Sequence, residues 1–135
     1  MSYCESDFAS EFSKWLRMQR KEGNYLFSFA VEHKVCKKRR LNFTSDFQDQ
    51  QLPSLYQTKH ECIYYKLSDL DIGRKPYDAF TMCFEPAYIA VLWYKLRQPK
   101  TFYMVDIDKI YVFKETHKSI TEEECKTLAD FIITL

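Results

Sequence analysis

The stretch Tyr25-Leu-Phe-Ser-Phe-Ala-Val-Glu-His-Lys-Val-Cys36 decides how this chain is read. Its residues alternate with a period of two, the mark of a half-buried strand. Phe27, Phe29, Val31, His33 and Val35 fall on one face, and Ser28, Ala30, Glu32 and Lys34 on the other. A carboxylate and an amine therefore stand side by side on one strand face, behind apolar residues that fix the strand. Metal-assisted phosphodiester cleavage uses such a pair. The carboxylate holds a hard cation, and the lysine steadies an attacking water or the charge that develops on the phosphate. The triplet is short, and Glu124-Cys125-Lys126 repeats its spacing. That second copy follows Thr121-Glu-Glu-Glu124, a helix-capping pattern, and reads as a solvated helix face. The first copy takes its meaning from its surroundings.

Upstream, residues 3–21 predict an amphipathic helix. Phe8, Phe12, Trp15, Leu16 and Gln19 share one arc, Ser2 with Glu5 or Ser6 alone can cap it, and Gly23 can end it. Glu11 lies at the edge of that arc. It is either a boundary residue paired with Lys14 or the Trp15 indole, or an acid facing the Glu32 strand. Downstream, residues 44–58 read as partly helical from Thr44 or Ser45, with Pro53 interrupting or restarting the helix. A short strand over 62–67 and a loop over 68–76 follow. Three strands come next, at 76–83, 87–94 and 101–107. The second is apolar on both faces, hence central. Residues 111–113 read as a fourth short strand, and a helix over 121–132 closes the chain. This order implies one α+β domain, residues 1–135, with a mixed sheet flanked by helices.

Composition narrows the function. Only two glycines are present, so there is no glycine-rich phosphate loop or dinucleotide fingerprint. The longest apolar run, Ala87 to Tyr94, is too short to span a bilayer, and the opening Met-Ser-Tyr-Cys-Glu lacks a signal-peptide pattern. These features lead us to expect a cytoplasmic protein without a membrane partner. Five cysteines, odd in number and widely spaced, read as free thiols in a reducing compartment rather than a disulfide framework. His60 with Cys62 supplies only two of the four ligands a zinc site needs. Net charge is +1, yet Lys14 to Arg40 holds nine basic and two acidic residues. A basic end suits a polyanionic partner; the plain alternative is a set of solvated surface cations. Lys37-Lys-Arg-Arg40 also mimics a nuclear import signal.

The order of these motifs resembles the PD-(D/E)xK, or restriction-endonuclease-like, nuclease superfamily, and within it the small Holliday-junction-resolvase-like and phage-type nucleases. The residues that carry the likeness are Glu11 on the first helix, Glu32-His33-Lys34 at the strand's end, and Gln51-x-x-x-Leu55. The segments Tyr64-Tyr-Lys-Leu-Ser-Asp69, Lys75-Pro-Tyr-Asp-Ala-Phe80, Ala87-Tyr-Ile-Ala-Val91 and Phe102-Tyr-Met-Val-Asp-Ile107 extend it over about residues 5–110. The superfamily places its metal-binding aspartate before the Glu-x-Lys strand, and no aspartate lies between Glu22 and Glu32. The resemblance therefore implies that the aspartate is displaced to a later strand, at Asp78, with Asp69 and Asp71 as rivals.

It further implies a metal site of Asp78, Glu32 and the His33 backbone carbonyl, with Glu11 reaching it through water. The ion is Mg²⁺ or Mn²⁺. Lys34 acts on the nucleophilic water, and Gln51 holds that water or the phosphate, with Gln48 or Gln50 as alternative counterparts. Lys37, Lys38, Arg39, Arg40 and Lys75 are the expected contacts to the DNA backbone. Branched or damaged DNA is the expected substrate, cut by a homodimer because two symmetric cuts need two sites. A phage or virus acting in its host cell is one possible source. The competing expectations are a non-catalytic nucleic-acid-binding module on the same fold and an aromatic-rich protein-interaction domain.

Overall fold

The computed structural model describes residues 2–23, 28–67 and 78–135, with side chains throughout these except at 63–67 and 78–82. In chain order the elements are α1 (Glu5–Lys21), β1 (Ala30–Cys36), β2 (Arg40–Asn42), α2 (Gln51–His60), β3 (Cys62–Leu67) and β4 (Asp78–Cys83). They continue with β5 (Ala87–Trp93), β6 (Thr101–Asp106), α3 (Ile107–Lys114), β7 (Ser119–Thr121), α4 (Glu122–Leu128) and β8 (Phe131–Thr134).

A four-stranded sheet in the order β1-β5-β6-β8 organises the fold. β1 runs parallel to β5, and the other two pairings are antiparallel, so the sheet is mixed. β5 is its centre, buried at every one of its seven positions. Its odd residues Ala87, Ile89, Val91 and Trp93 join one apolar cluster with Leu52 and Leu55 of α2, Ile107 and Ile110 of α3 and Cys125 of α4. Its even residues Tyr88, Ala90 and Leu92 join a second cluster with Phe8 and Phe12 of α1. Helices thus cover both faces, α1 on one and α2, α3 and α4 on the other. Full burial of each large apolar side chain contributes about 1.5–3 kcal/mol, so Phe8, Ile89 and Phe102, all at 0 % exposure, weigh heavily in holding the layers together.

Several expectations are corrected. α1 begins at Glu5, and its N-terminus is closed by Asp7, whose carboxylate accepts from the Cys4 backbone N–H at 2.8 Å, rather than by Ser2 or Ser6. Gly23, with φ of +80°, adopts the left-handed conformation that ends the helix. Pro53 interrupts nothing: α2 starts at Gln51, which leaves Pro53 in the first turn, where no intrahelical N–H is needed.

Residues 111–113 are helical, not a strand. The Asp106 carboxylate accepts from Asp108 N–H at 2.8 Å and starts α3 directly off β6, with Ile107 and Ile110 buried one turn apart. The closing helix stops at Leu128. Ala129 leaves helical geometry, and the β-branched run Ile132-Ile133-Thr134 pairs with β6 as β8. Among the described residues β4 pairs with β3 in a two-stranded ribbon, outside the main sheet. Cys62 and Cys83 face each other across that ribbon and form a disulfide, against the expectation that every thiol is free. Cys4, Cys36 and Cys125 are free. Among the described residues no helix is long and apolar enough to cross a membrane.

Candidate active site

The faces of β1 are those its alternation predicts. Val31 and Val35 pack with α1, and His33 lies edge-on to Phe8 and Phe12 at 5.0 and 4.8 Å. Burial holds the His33 imidazole below its ordinary pKa, and its Nε2 is buried without a hydrogen-bond partner. It is a packed histidine rather than a base. Ala30 joins the opposite cluster, and Glu32 and Lys34 share its face.

That second face meets α2. Gln51, the first residue of the helix, donates its side-chain amide to Glu32 Oε1 at 2.9 Å, while its own carbonyl oxygen accepts from Gln48 N–H at 2.9 Å. The structure therefore joins Glu32 to Gln51, not to Gln48 or Gln50. A cleft of about 290 Å³ opens here, lined by Ala30, Glu32, Gln50, Gln51, Ser54 and Thr58. Burial pushes the Glu32 carboxyl above its usual range; Lys34 opposes that rise, and Glu5 adds to it.

Lys34 is only 4 % exposed. Its Nζ sits 4.8 Å from the Phe47 ring centroid and 3.7 Å from Glu5 Oε1. Glu5 is a residue that the sequence reading used only as a cap. β1 is an edge strand, so the first turn of α1 passes its rim and can reach Lys34 from the far side of the sheet. Glu11 cannot do so from the same helix face. Six residues rotate it by roughly 120° about the helix axis from Glu5. It pairs instead with Lys100 at 2.8 Å and accepts from the Tyr3 hydroxyl at 3.2 Å. The expectation that Glu11 faces the Glu32 strand is thereby corrected, and Glu5 is the α1 carboxylate at this site. An acidic residue in a helix's first turn was the only signal available for it.

Main-chain direction adds one further donor. Ala30 N–H bonds to Pro86, and the Cys36 carbonyl accepts from Tyr94, so the even residues of β1 direct their backbone groups toward β5. The odd residues point the other way, and the His33 carbonyl is directed away from β5, to the side where no described strand pairs with β1. Asp78 opens β4, opposite Leu67 in the ribbon. Its side chain, together with Asp69, Asp71 and Lys75, lies outside the described residues. The reading of 76–83 as a strand of the same sheet as the central strand 87–94 is corrected, because β4 lies in the β3–β4 ribbon. Among the described residues no group of three or more His, Cys, Asp or Glu gathers as a metal site.

The basic run follows β1 on the surface. Lys38 pairs with Asp46 at 2.9 Å, Arg40 donates to the Ser119 hydroxyl at 3.3 Å, and Lys37 contacts Ser2 and lies 5.8 Å from the Tyr94 ring. Lys37, Lys38, Arg39 and Lys95 line a groove of about 380 Å³, with Glu122 and Glu123 on its other wall. His60 binds Asp108 and not Cys62, and Lys59 bridges Asp106 and Asp108. Comparison with protein-family models, curated proteins and solved structures finds no match for this chain.

Proposed function

We propose that this chain is a metal-dependent deoxyribonuclease of the PD-(D/E)xK type, acting on branched or damaged DNA as a Holliday-junction-resolvase-like enzyme does. The observation that carries the proposal is the Gln51–Glu32 hydrogen bond at 2.9 Å, with Lys34 on the same strand face. Glu32 and Gln51, from two separate motifs, meet in one cleft, and Lys34 lies two residues along the same strand face. An ordinary solvated Glu-x-Lys, such as Glu124-Cys125-Lys126, has no reason to acquire a buried lysine and an amide partner.

The donors at hand are oxygens, which suits Mg²⁺ or Mn²⁺. Glu32 Oε2 and the His33 carbonyl would hold the ion together with Asp78, the donor on which the reading depends. Such an ion supplies an activated water and neutralises phosphate charge. The chain's own residues do the rest. Gln51 orients the Glu32 carboxylate. Lys34, walled by Phe47 and held by Glu5, presents its amine beside the scissile phosphate. Lys37 and Arg39 extend a cationic track for the sugar-phosphate backbone, which predicts affinity that falls with salt.

The test is cleavage of a labelled four-way DNA junction and a matching linear duplex in Mg²⁺, Mn²⁺ and EDTA, with Glu32→Ala and Asp78→Ala alongside. Metal-dependent cutting that both variants abolish establishes the enzyme, and preference for the junction names its class. Intact junction binding without cutting in either metal overturns catalysis and leaves a binding module. No retention on DNA at low salt overturns the nucleic-acid reading altogether.

A further inference from the structure

We infer that two copies of this chain pair through β8, joining their sheets edge to edge about a two-fold axis at Ile133. The direction of the main chain carries the argument. Leu135 N–H bonds to the Lys100 carbonyl, and the β6–β8 register continues as Phe102 opposite Ile133 and Met104 opposite Phe131. Odd residues of β8 therefore spend their backbone groups on β6. Ile132 and Thr134 direct theirs outward, where no described strand pairs with them.

An antiparallel second β8 meets those groups with its own. Centred on Ile133, the pairing sets Ile132 against Thr134 of the second copy, and Thr134 against its Ile132, making four main-chain hydrogen bonds. A centre at Ile132 gives fewer, because the Asp130 N–H is already spent on the Met104 carbonyl. The strand Phe131-Ile-Ile-Thr134 contains no charge and no proline, the usual devices that keep an edge apart from its like.

Side chains agree with the same axis. Phe131, Ile133 and Leu135 lie on the α1 face of the sheet, where Ile133 and Leu135 pack with the Phe8 cluster. Phe131 is 40 % exposed, and Ile132, on the other face, is 52 % exposed. The two-fold puts Phe131 opposite Leu135 of the second copy. Leu135 borders a groove of about 490 Å³ whose other walls include Trp15, Met18 and Pro99. An exposed aromatic ring and an open groove of mixed lining, with Trp15, Met18, Pro99 and Leu135 as its apolar part, are thus brought together twice by one symmetry operation, as an isologous interface requires. Two lysines at this rim already have acidic partners, Lys100 in Glu11 and Lys109 in Asp130, which lowers the repulsion a second copy meets.

The inference is independent of the nuclease reading, because it is tested without DNA. The full chain is examined by sedimentation equilibrium, together with Ile132→Pro and Thr134→Pro. Each proline removes an outward N–H and spares those bonded to β6. The wild type should sediment at twice the chain mass at micromolar concentration. Each variant should dissociate about 30-fold more readily, for the two hydrogen bonds lost per dimer, while the melting midpoint of the dilute monomer is unchanged. A Cys4→Ser, Ile133→Cys chain should form an intermolecular disulfide on oxidation, since Ile133 meets its own symmetry mate at a close, non-hydrogen-bonded position. A monomeric wild type, or a dimer that survives both prolines and fails to cross-link at Ile133, overturns the inference.

Discussion

Removing Glu32 and Gln51 singly and together measures how firmly the site is built. The contact is a 2.9 Å hydrogen bond from a neutral amide to a carboxylate in a partly buried cleft. Bonds to charged acceptors contribute about 1.5–3 kcal/mol, and the solvent that reaches Glu32 lowers this toward about 1 kcal/mol. Glu32→Ala, Gln51→Ala and the double variant, unfolded in urea at pH 8, should therefore show a coupling of about 1 kcal/mol between the two positions. The pH dependence has a definite sign. The folded pKa of Glu32 is raised, chiefly by burial, so its ionised form costs folding energy. That cost is fully present above the raised folded pKa and is relieved as pH falls through it toward the unfolded value. Glu32→Gln should accordingly gain stability relative to wild type above the window and lose that advantage below it. The Glu32–Gln51 coupling should shrink over the same descent, because a protonated acid is the weaker acceptor. A coupling under about 0.3 kcal/mol at pH 8, within the error of additivity, refutes the idea that α2 holds Glu32 in place.

Other consequences are readily measured. Gln51→Ala should lower junction cleavage by about 10–100-fold while leaving salt-dependent DNA binding intact, as loss of a residue that orients a metal-binding carboxylate does; equal losses of binding and cleavage would contradict that role. Phe12→Ala empties a site at 2 % exposure between α1 and the sheet and should cost about 3–5 kcal/mol in urea unfolding. Reducing Cys62–Cys83, which spans 21 positions, should cost about 3 kcal/mol by the chain-entropy argument, and an unmoved unfolding midpoint would show that the ribbon is not held by it. Alkylation at pH 8 followed by peptide mass mapping should find Cys4 modified first. Cys125 should resist longest in the native state, since it is fully buried and its thiol is pushed up to about 12 by burial.

Much of the fold is legible in the chain because period and burial coincide. The alternation of 29–35 and the uninterrupted apolar run of β5 are local patterns with a single packing solution. Other elements are decided by contacts that no local pattern holds. Tyr111-Val-Phe113 has strand-forming residues, but the Asp106 cap and the burial of Ile107 and Ile110 commit it to a helix. The closing segment carries a helix cap at Thr121, and only pairing with β6 turns its last residues into a strand. At the site, Glu32, Lys34 and Gln51 are legible from motif order, and the structure joins Glu32 to Gln51 while Lys34 packs against Phe47 and Glu5. Glu5 was not, because its closeness to Lys34 depends on β1 standing at the rim of the sheet. The odd cysteine count hid a disulfide for a similar reason, since only the β3–β4 register sets Cys62 opposite Cys83.

The parallel pairing of β1 with β5 also sets an order of assembly. Fifty residues, 37–86, separate these strands, whereas seven, 94–100, separate β5 from β6. Closing the longer connection costs roughly 1.7 kcal/mol more in chain entropy. The β5–β6 hairpin therefore forms early and β1 docks late, bringing Glu32 and Lys34 to Gln51 at the end of folding. Native-state amide exchange should follow the same gradient. Amides in β5, bonded on both sides, should open only with the whole molecule, while those of β1 should open at lower free energy. The cleft would then form after the β5–β6 hairpin and open before β5 does.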